Sequence, residues 1–309
     1  MKNLIKNGLM FLAGILVLAT SCTQNDSVGT EGGKGGLTVL LTDAPFPSSM
    51  VQSANVTIDK IEIRSTLAGT ATTTTDEADA KAVYTVIYEG AGKEFDLLKL
   101  RNGITNELAN VDLEPGSYDF MRMHITQAEV VLKDGTSYDL KVPSGASSGL
   151  KIKISPNLVI ESGVESTIIL DFDVHKSFVV QGNPKTPAGI KGFLFKPVLR
   201  AVCQQYTGIL SGKVTENTTT PVKDALVEIM LADTVYGSAL TNTDGTYAMI
   251  GIPAASYLVA VSKEGYTDVE VNNVVVKEKE TTTLNFNIVS TATGTTTSGT
   301  TTNTTTTNP

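Results

Sequence analysis

Asp171, Asp173 and His175 alternate with Leu170, Phe172 and Val174, a spacing that could do chemistry. On an extended strand the three polar side chains share one face, successive ones ~7 Å apart. Carboxylate oxygens and an imidazole so placed suit a divalent ion, and a metal-dependent enzyme would use them. The plainer reading is a solvent face opposite a packed one, because any half-buried strand alternates this way. The only other histidine, His124, lies on a separate strand, so no second ligand cluster supports the metal. The solvent face is therefore the expectation, with no metal and no cofactor.

Two further sets are tested by context. Gly145-Ala146-Ser147-Ser148-Gly149 spells the G-x-S-x-G of a hydrolase nucleophile, which works on a sharp strand-to-helix turn. Here Leu150-Lys151-Ile152-Lys153-Ile154 follows and alternates like a strand, so the stretch reads as a loop. Lys213, Glu228 and Asn285 or Asn287 are the residue types of an isopeptide cross-link, a bond that forms inside a core. Alternation puts Lys213 opposite Leu210, Gly212 and Val214, and both asparagines opposite Leu284, Phe286 and Ile288, so they should face water. Cys203 reads as a small buried hydrophobe in a strand. No catalytic set is expected.

The elements that would carry these residues are strands almost throughout. Leu37 to Leu41 is a buried strand; Val56, Ile58, Ile61 and Ile63 alternate but change parity at Asp59-Lys60, which marks a β-bulge. Ser65 to Lys81 is a loop rich in Thr, Ala and Asp, and Val83 to Tyr88 is a strand. Asn102 to Asn110 is the one candidate for helical turns. Tyr118 to Ile125, Glu129 to Leu132, Ser137 to Val142, Leu150 to Ile154, Val164 to Val174 and Gly192 to Cys203 follow as strands, with a hairpin turn at Lys133-Asp134-Gly135-Thr136.

The first residues set an address. Lys2 and Lys6 precede an apolar run from Leu9 to Ala19, then Thr20-Ser21 and Cys22, the anatomy of a secretory signal peptide over residues 1–21. Leu18-Ala19-Thr20-Ser21-Cys22 resembles the lipobox of bacterial lipoproteins, which implies acylation of Cys22 and an anchor in the outer membrane. Residues 22–36, with five glycines, read as a flexible tether. The sequence carries 24 basic and 32 acidic residues; the leader holds Lys2 and Lys6, which leaves 22 basic residues and a net charge near −10. Such a balance argues against nucleic acid, whose affinity comes from cationic contacts to phosphate. With Cys22 acylated, Cys203 has no partner for an intrachain disulfide.

Leu37-Thr38-Val39-Leu40-Leu41-Thr42-Asp43-Ala44-Pro45, Leu113-Glu114-Pro115-Gly116-Ser117-Tyr118 and Leu170-Asp171-Phe172-Asp173 together resemble a family of exported bacterial domains of unknown function. Gly208 to Val214, Asp224-Ala225-Leu226-Val227, Thr243-Asp244-Gly245-Thr246-Tyr247 and Ile252-Pro253-Ala254-Ala255-Ser256-Tyr257 resemble the carboxypeptidase regulatory-like domain, a transthyretin-like sandwich. Ala255 stands where that family usually has glycine. The implied chain is all-β: two β-sandwich domains in series over residues 37–203 and 207–289, then a disordered threonine-rich tail over 290–309. Asp26-Ser27-Val28 and Asp233-Thr234-Val235 also resemble a bacterial O-glycosylation sequon.

The function this implies is display, adhesion or interaction at the cell surface or the periplasmic face. Its partners would be the membrane, through the lipid anchor, and a glycan or a protein. The alternative is a glycan-binding accessory protein of a polysaccharide-uptake system, for which Tyr236, next to Gly237 in a loop, is the least committed aromatic.

Overall fold

A computed structural model describes residues 33–44, 50–66, 83–143, 148–183, 186–291 and 305–308. The leader, Cys22, the tether as far as residue 32, most of the Ser65–Lys81 loop, the motif residues Gly145 to Ser147 and tail residues 292–304 lie outside the described residues.

The first sandwich contains β1 (Gly35–Ala44), β2 (Val51–Ser65), β3 (Tyr84–Asp96), β4 (Asn106–Leu113), β5 (Gly116–Leu132) and β6 (Ser137–Leu140). It continues with β7 (Leu150–Ile160), β8 (Glu165–Asp173), a one-turn helix α1 (Val174–Ser177), the hairpin β9 (Phe178–Gly182) and β10 (Ile190–Phe195), and β11 (Leu199–Cys203). The hydrogen-bonded order is β3-β2-β5-β7-β11-β8-β1-β4, with β6 also on β5. β7 belongs to both layers: it runs antiparallel to β5 along most of its length and parallel to β11 at Ile154. Folding the path there lets Val39, Ile58, Ile61, Met121, Met123, Ile154, Leu170 and Phe172 close one core. The parity change at Asp59-Lys60 is a register shift between Ile58 and Lys60, which keeps Ile58, Ile61 and Ile63 all buried.

Several expectations change. The Asn102–Asn110 region contains no helix. Asn102 and Gly103 have φ of 58° and 77°, which stops a helix before it starts, and β4 then pairs antiparallel with β1. The two strands expected over Tyr118–Leu132 are one, bent by bulges. Gly35 and Gly36, expected within the tether, are instead in β1, where they pair with Leu113 and Asp112. Gly35 is needed for close approach, since a side chain there would collide with the Glu161 carbonyl.

The second sandwich contains β12 (Thr207–Glu216), β13 (Thr220–Pro221), β14 (Leu226–Leu231), β15 (Thr234–Leu240), β16 (Thr246–Pro253), β17 (Ala255–Ser262), β18 (Val269–Val276), β19 (Thr281–Leu284), β20 (Phe286–Ile288) and β21 (Thr305–Asn308). One layer is β15-β14-β17-β18. The other is built on β12, which pairs with β16, β13, β19 and β20. Leu210, Val214, Val227, Ile229, Tyr247, Tyr257, Leu284 and Phe286 meet between the layers. Asp244-Gly245 does not join paired strands: β15 and β16 lie in different layers, and the turn carries the chain from one to the other. Within the tail read as disordered, Thr305–Asn308 pairs with β19.

Candidate functional site

Asp43, Asp171, Arg200 and Tyr236 converge where the two sandwiches meet, inside one compact unit. β8 turns Ile168, Leu170 and Phe172 into its own core and Ile169 and Asp171 the other way. Asp171 is therefore not on a solvent face. The second sandwich covers it, and its side chain is only 14% exposed.

Arg200 sits directly opposite Asp171 in the β8–β11 ladder and donates its Nη2 hydrogen to Oδ2 of that carboxylate. The Arg200 guanidinium also lies over the Tyr236 ring, 4.0 Å from its centroid, and so joins β11 to β15. Burial raises the pKa of Asp171, and the Arg200 charge offsets part of that rise. Tyr236, expected in a loop, is in β15 and packs at 6.1 Å on the Tyr257 ring.

Asp173 lines the junction with Arg200 and Tyr236 from the end of β8, and His175 leaves the strand. β8 stops at Asp173, whose Oδ1 caps α1 by accepting from the Lys176 N–H at 3.0 Å, while Oδ2 holds the Lys176 ammonium at 2.8 Å. His175 lies within α1, exposed. The end of the strand thus takes His175 away from Asp171 and Asp173, which both remain on β8. Among the described residues no group of three or more His, Cys, Asp and Glu is placed to hold a metal.

Asp43, at the end of β1, is the most unusual group here. It is 6% exposed, and its Oδ1 accepts from the Val174 N–H at 3.3 Å. Its Oδ2 is buried with no hydrogen-bond partner. Burial first, then the charges of Asp171, Asp173 and Asp96, push its pKa well above 3.8.

Two polar contacts complete the junction. Thr42 donates to the Leu100 and Ile104 carbonyls, both at 3.1 Å, and holds the loop that carries Asn102. Asn102 Nδ2 then reaches the second sandwich, donating to the Leu240 carbonyl at 2.9 Å and to Asn242 Oδ1 at 2.8 Å. Beside these, Ile169 and Val202 lie against Gly251, where φ is +69° and no side chain intrudes. A cleft of about 680 Å³ opens along the same seam, lined by Ser166, Thr167, Gln204, Gln205, Lys279 and Glu280 among others.

Gly149 leads into strand β7, so the G-x-S-x-G stretch lacks the helix its chemistry requires. Asn285 Oδ1 accepts from the Lys213 backbone N–H at 2.9 Å, and Asn287 Oδ1 from the Thr218 N–H at 2.8 Å. Cys203 is buried in β11, its thiol pushed up to about 11 by burial.

Residues 209–289 match the model of the carboxypeptidase regulatory-like domain, in agreement with the transthyretin-like second sandwich. No curated protein matches the chain. Among solved structures, a type II cohesin–X-dockerin complex from Acetivibrio cellulolyticus is 25% identical over 25% of this chain and 51% of that one, with a TM-score of 0.21. The chain thus spans about half the length of that relative. The tip fimbrial protein Mfa3 from Porphyromonas gingivalis is 9% identical over 88% of this chain and 99% of that one, with a TM-score of 0.28. The shaft pilin SpaA from Lactobacillus rhamnosus GG is 9% identical over 84% and 99%, with a TM-score of 0.25. The first sandwich matches the model described as a domain of unknown function (DUF4382) over residues 34–197, more than half of the chain, and the protein belongs to that family.

Proposed function

We propose that this is a lipid-anchored protein of the cell envelope whose two sandwiches act as one rigid body for display, adhesion or interaction. The observation that supports the reading is the signal-peptide-like stretch of residues 1–21 followed by Cys22, ahead of a body whose candidate functional groups contact one another. Asp171 is bound to Arg200, Asp173 caps a helix, and Tyr236 is stacked under a guanidinium. Those groups are occupied in holding the body together. Two or more acyl chains on Cys22 anchor stably, at ~0.8 kcal/mol per buried methylene, where a single chain does not. Among the described residues no helix is long and apolar enough to cross a membrane. Growth with a labelled fatty acid tests the anchor: the wild-type chain takes up label and Cys22→Ala does not. Label retained by Cys22→Ala refutes it. Protease treatment of intact cells then separates a surface from a periplasmic orientation.

The second reading is glycan binding, favoured by the amide and hydroxyl groups along the cleft between the sandwiches. Retention on a glycan array that Gln205→Ala abolishes would favour it over a protein partner.

A further inference from the structure

β21 is the last strand among the described residues and lies at the rim of the layer built on β12. Thr305–Asn308 runs antiparallel along β19, from Leu284↔Thr305 to Thr281↔Asn308. On its other side β19 pairs in parallel with β12, so without β21 it would form the rim of its layer. Thr282 and Leu284 are fully buried, which fixes the face and hence the register that the rim offers. A rim of this kind presents unpaired N–H and C=O groups in a set order, a template for one more strand.

The strand that fills it is held by backbone pairing, which does not distinguish one copy of the segment from another. Thr305-Thr306-Thr307 is β-branched and suits an extended backbone, and no proline interrupts the four residues. The segment is also remote from its own domain along the chain. The last described residue before it is Thr291, whose N–H donates to the Gly265 carbonyl at 2.9 Å. Residues 292–304 connect the two with Thr, Gly, Ser, Asn and one Ala, and can span about 45–50 Å at most.

We propose that the β19 rim is a strand-acceptor site whose partner is the Thr305–Asn308 segment of a second copy of this chain. The chain's own segment fills the site when copies are dilute. A segment on a short connector competes at an effective concentration in the ~mM range, so a neighbour's segment wins when copies are crowded or the connector cannot close. The donor and acceptor surfaces differ, so a copy either swaps segments with one partner or gives to one neighbour and takes from another. The second, heterologous contact extends into rows or closes into rings.

The test uses the full chain carrying Cys22→Ser, Thr283→Cys and Thr306→Cys, the last two at positions directly opposite in the ladder. Cys203 is 1% exposed and stays out of the exchange. Mild oxidation at micromolar concentration is expected to give an intrachain disulfide, seen as a faster-migrating monomer. Deleting Thr293–Thr302 leaves three connector residues, and the product is expected to shift to disulfide-linked dimers and larger species, at least tenfold above the intact-length chain. Light scattering of the unoxidised deletion chain should show a mass above that of the monomer. A deletion chain that remains monomeric, or closes only within itself, overturns the exchange. Absence of any disulfide between the two introduced cysteines at intact length overturns the acceptor site. A second arm does not depend on the deletion chain folding: the two single-cysteine full chains, mixed at about 1 mM, should cross-link to each other well beyond either alone. Equal yields overturn the proposal.

Discussion

Asp171 shows how the role of a charged residue depends on what lies across from it. Alternation in the sequence marks it as off the core of its own sandwich, and that much is correct. What alternation does not contain is the second sandwich, which turns a solvent face into a covered one. Arg200 is 29 residues away and becomes its partner only through the β8–β11 pairing, so no local pattern announces it. Removing one member of a covered pair leaves the other charged and alone. Arg200→Met is expected to cost about 2–3 kcal/mol, less than a fully buried pair because its side chain is 29% exposed. Asp171→Leu in the same chain should recover part of that loss, and urea melts of both singles and the double variant measure the coupling. Asp43 carries a different cost. Its pKa is raised in the folded state, so the protein holds a proton there that the unfolded chain releases above about 3.8. The penalty is absent at pH values below that ordinary value. It grows as pH rises towards the raised value, then stays constant. Asp43→Asn keeps an oxygen for the Val174 N–H and needs no proton. Its melting temperature should exceed that of the wild type at pH 7, and the gap should close as pH falls to about 3. A gap that is independent of pH would show that titration is not the cause.

Among the elements, the two sandwiches open a core strand in the same way. Leu113-Glu114-Pro115-Gly116-Ser117-Tyr118 and Ile252-Pro253-Ala254-Ala255-Ser256-Tyr257 can be matched by eye in the sequence. In the fold, Tyr118 donates its hydroxyl hydrogen to the Glu114 carbonyl and Tyr257 to the Pro253 carbonyl, each four residues back and each at 2.8 Å. Tyr118→Phe and Tyr257→Phe should each cost about 1 kcal/mol in a denaturant melt, with m-values unchanged. Ala255 in place of the usual glycine leaves this turn intact. The Asp134-Gly135 hairpin was equally legible, since Gly135 takes φ of +88° and Thr136 bonds back to Asp134. Asp244-Gly245 has the same signature yet links two layers, because a turn fixes the local bend and not which strand is the next neighbour. The helical turns expected near Asn102 failed for a related reason. Pairing with β1 supplies the backbone partners that a helix would have supplied from within, and tertiary context overrides a weak local preference.

For the molecule as a whole, the seam makes the two sandwiches thermodynamic partners. Ile169 and Val202 face outward from the first core, yet they are 2% and 7% exposed because the second sandwich covers them. Calorimetry of the wild-type chain should therefore show one unfolding transition. Val202→Asp places a carboxylate in that seam and should split the transition in two, the earlier one shifted down by about 2–4 °C for each kcal/mol lost. A single transition at unchanged temperature would mean that the seam couples nothing. The order in which β1 enters the fold has one further consequence, a mechanical one. β1 is the first strand among the described residues, and it lies between β4 and β8 rather than at a rim. Its pairing with β8 is parallel and runs without a break from Gly36↔Glu165 to Ala44↔Asp173. Tension drawn along the chain from the N-terminal side of β1 meets those hydrogen bonds side by side, in shear, and must break them together. A strand peeled from a rim would lose them one at a time. The body is thus built to take a pull from the end at which it is proposed to be moored.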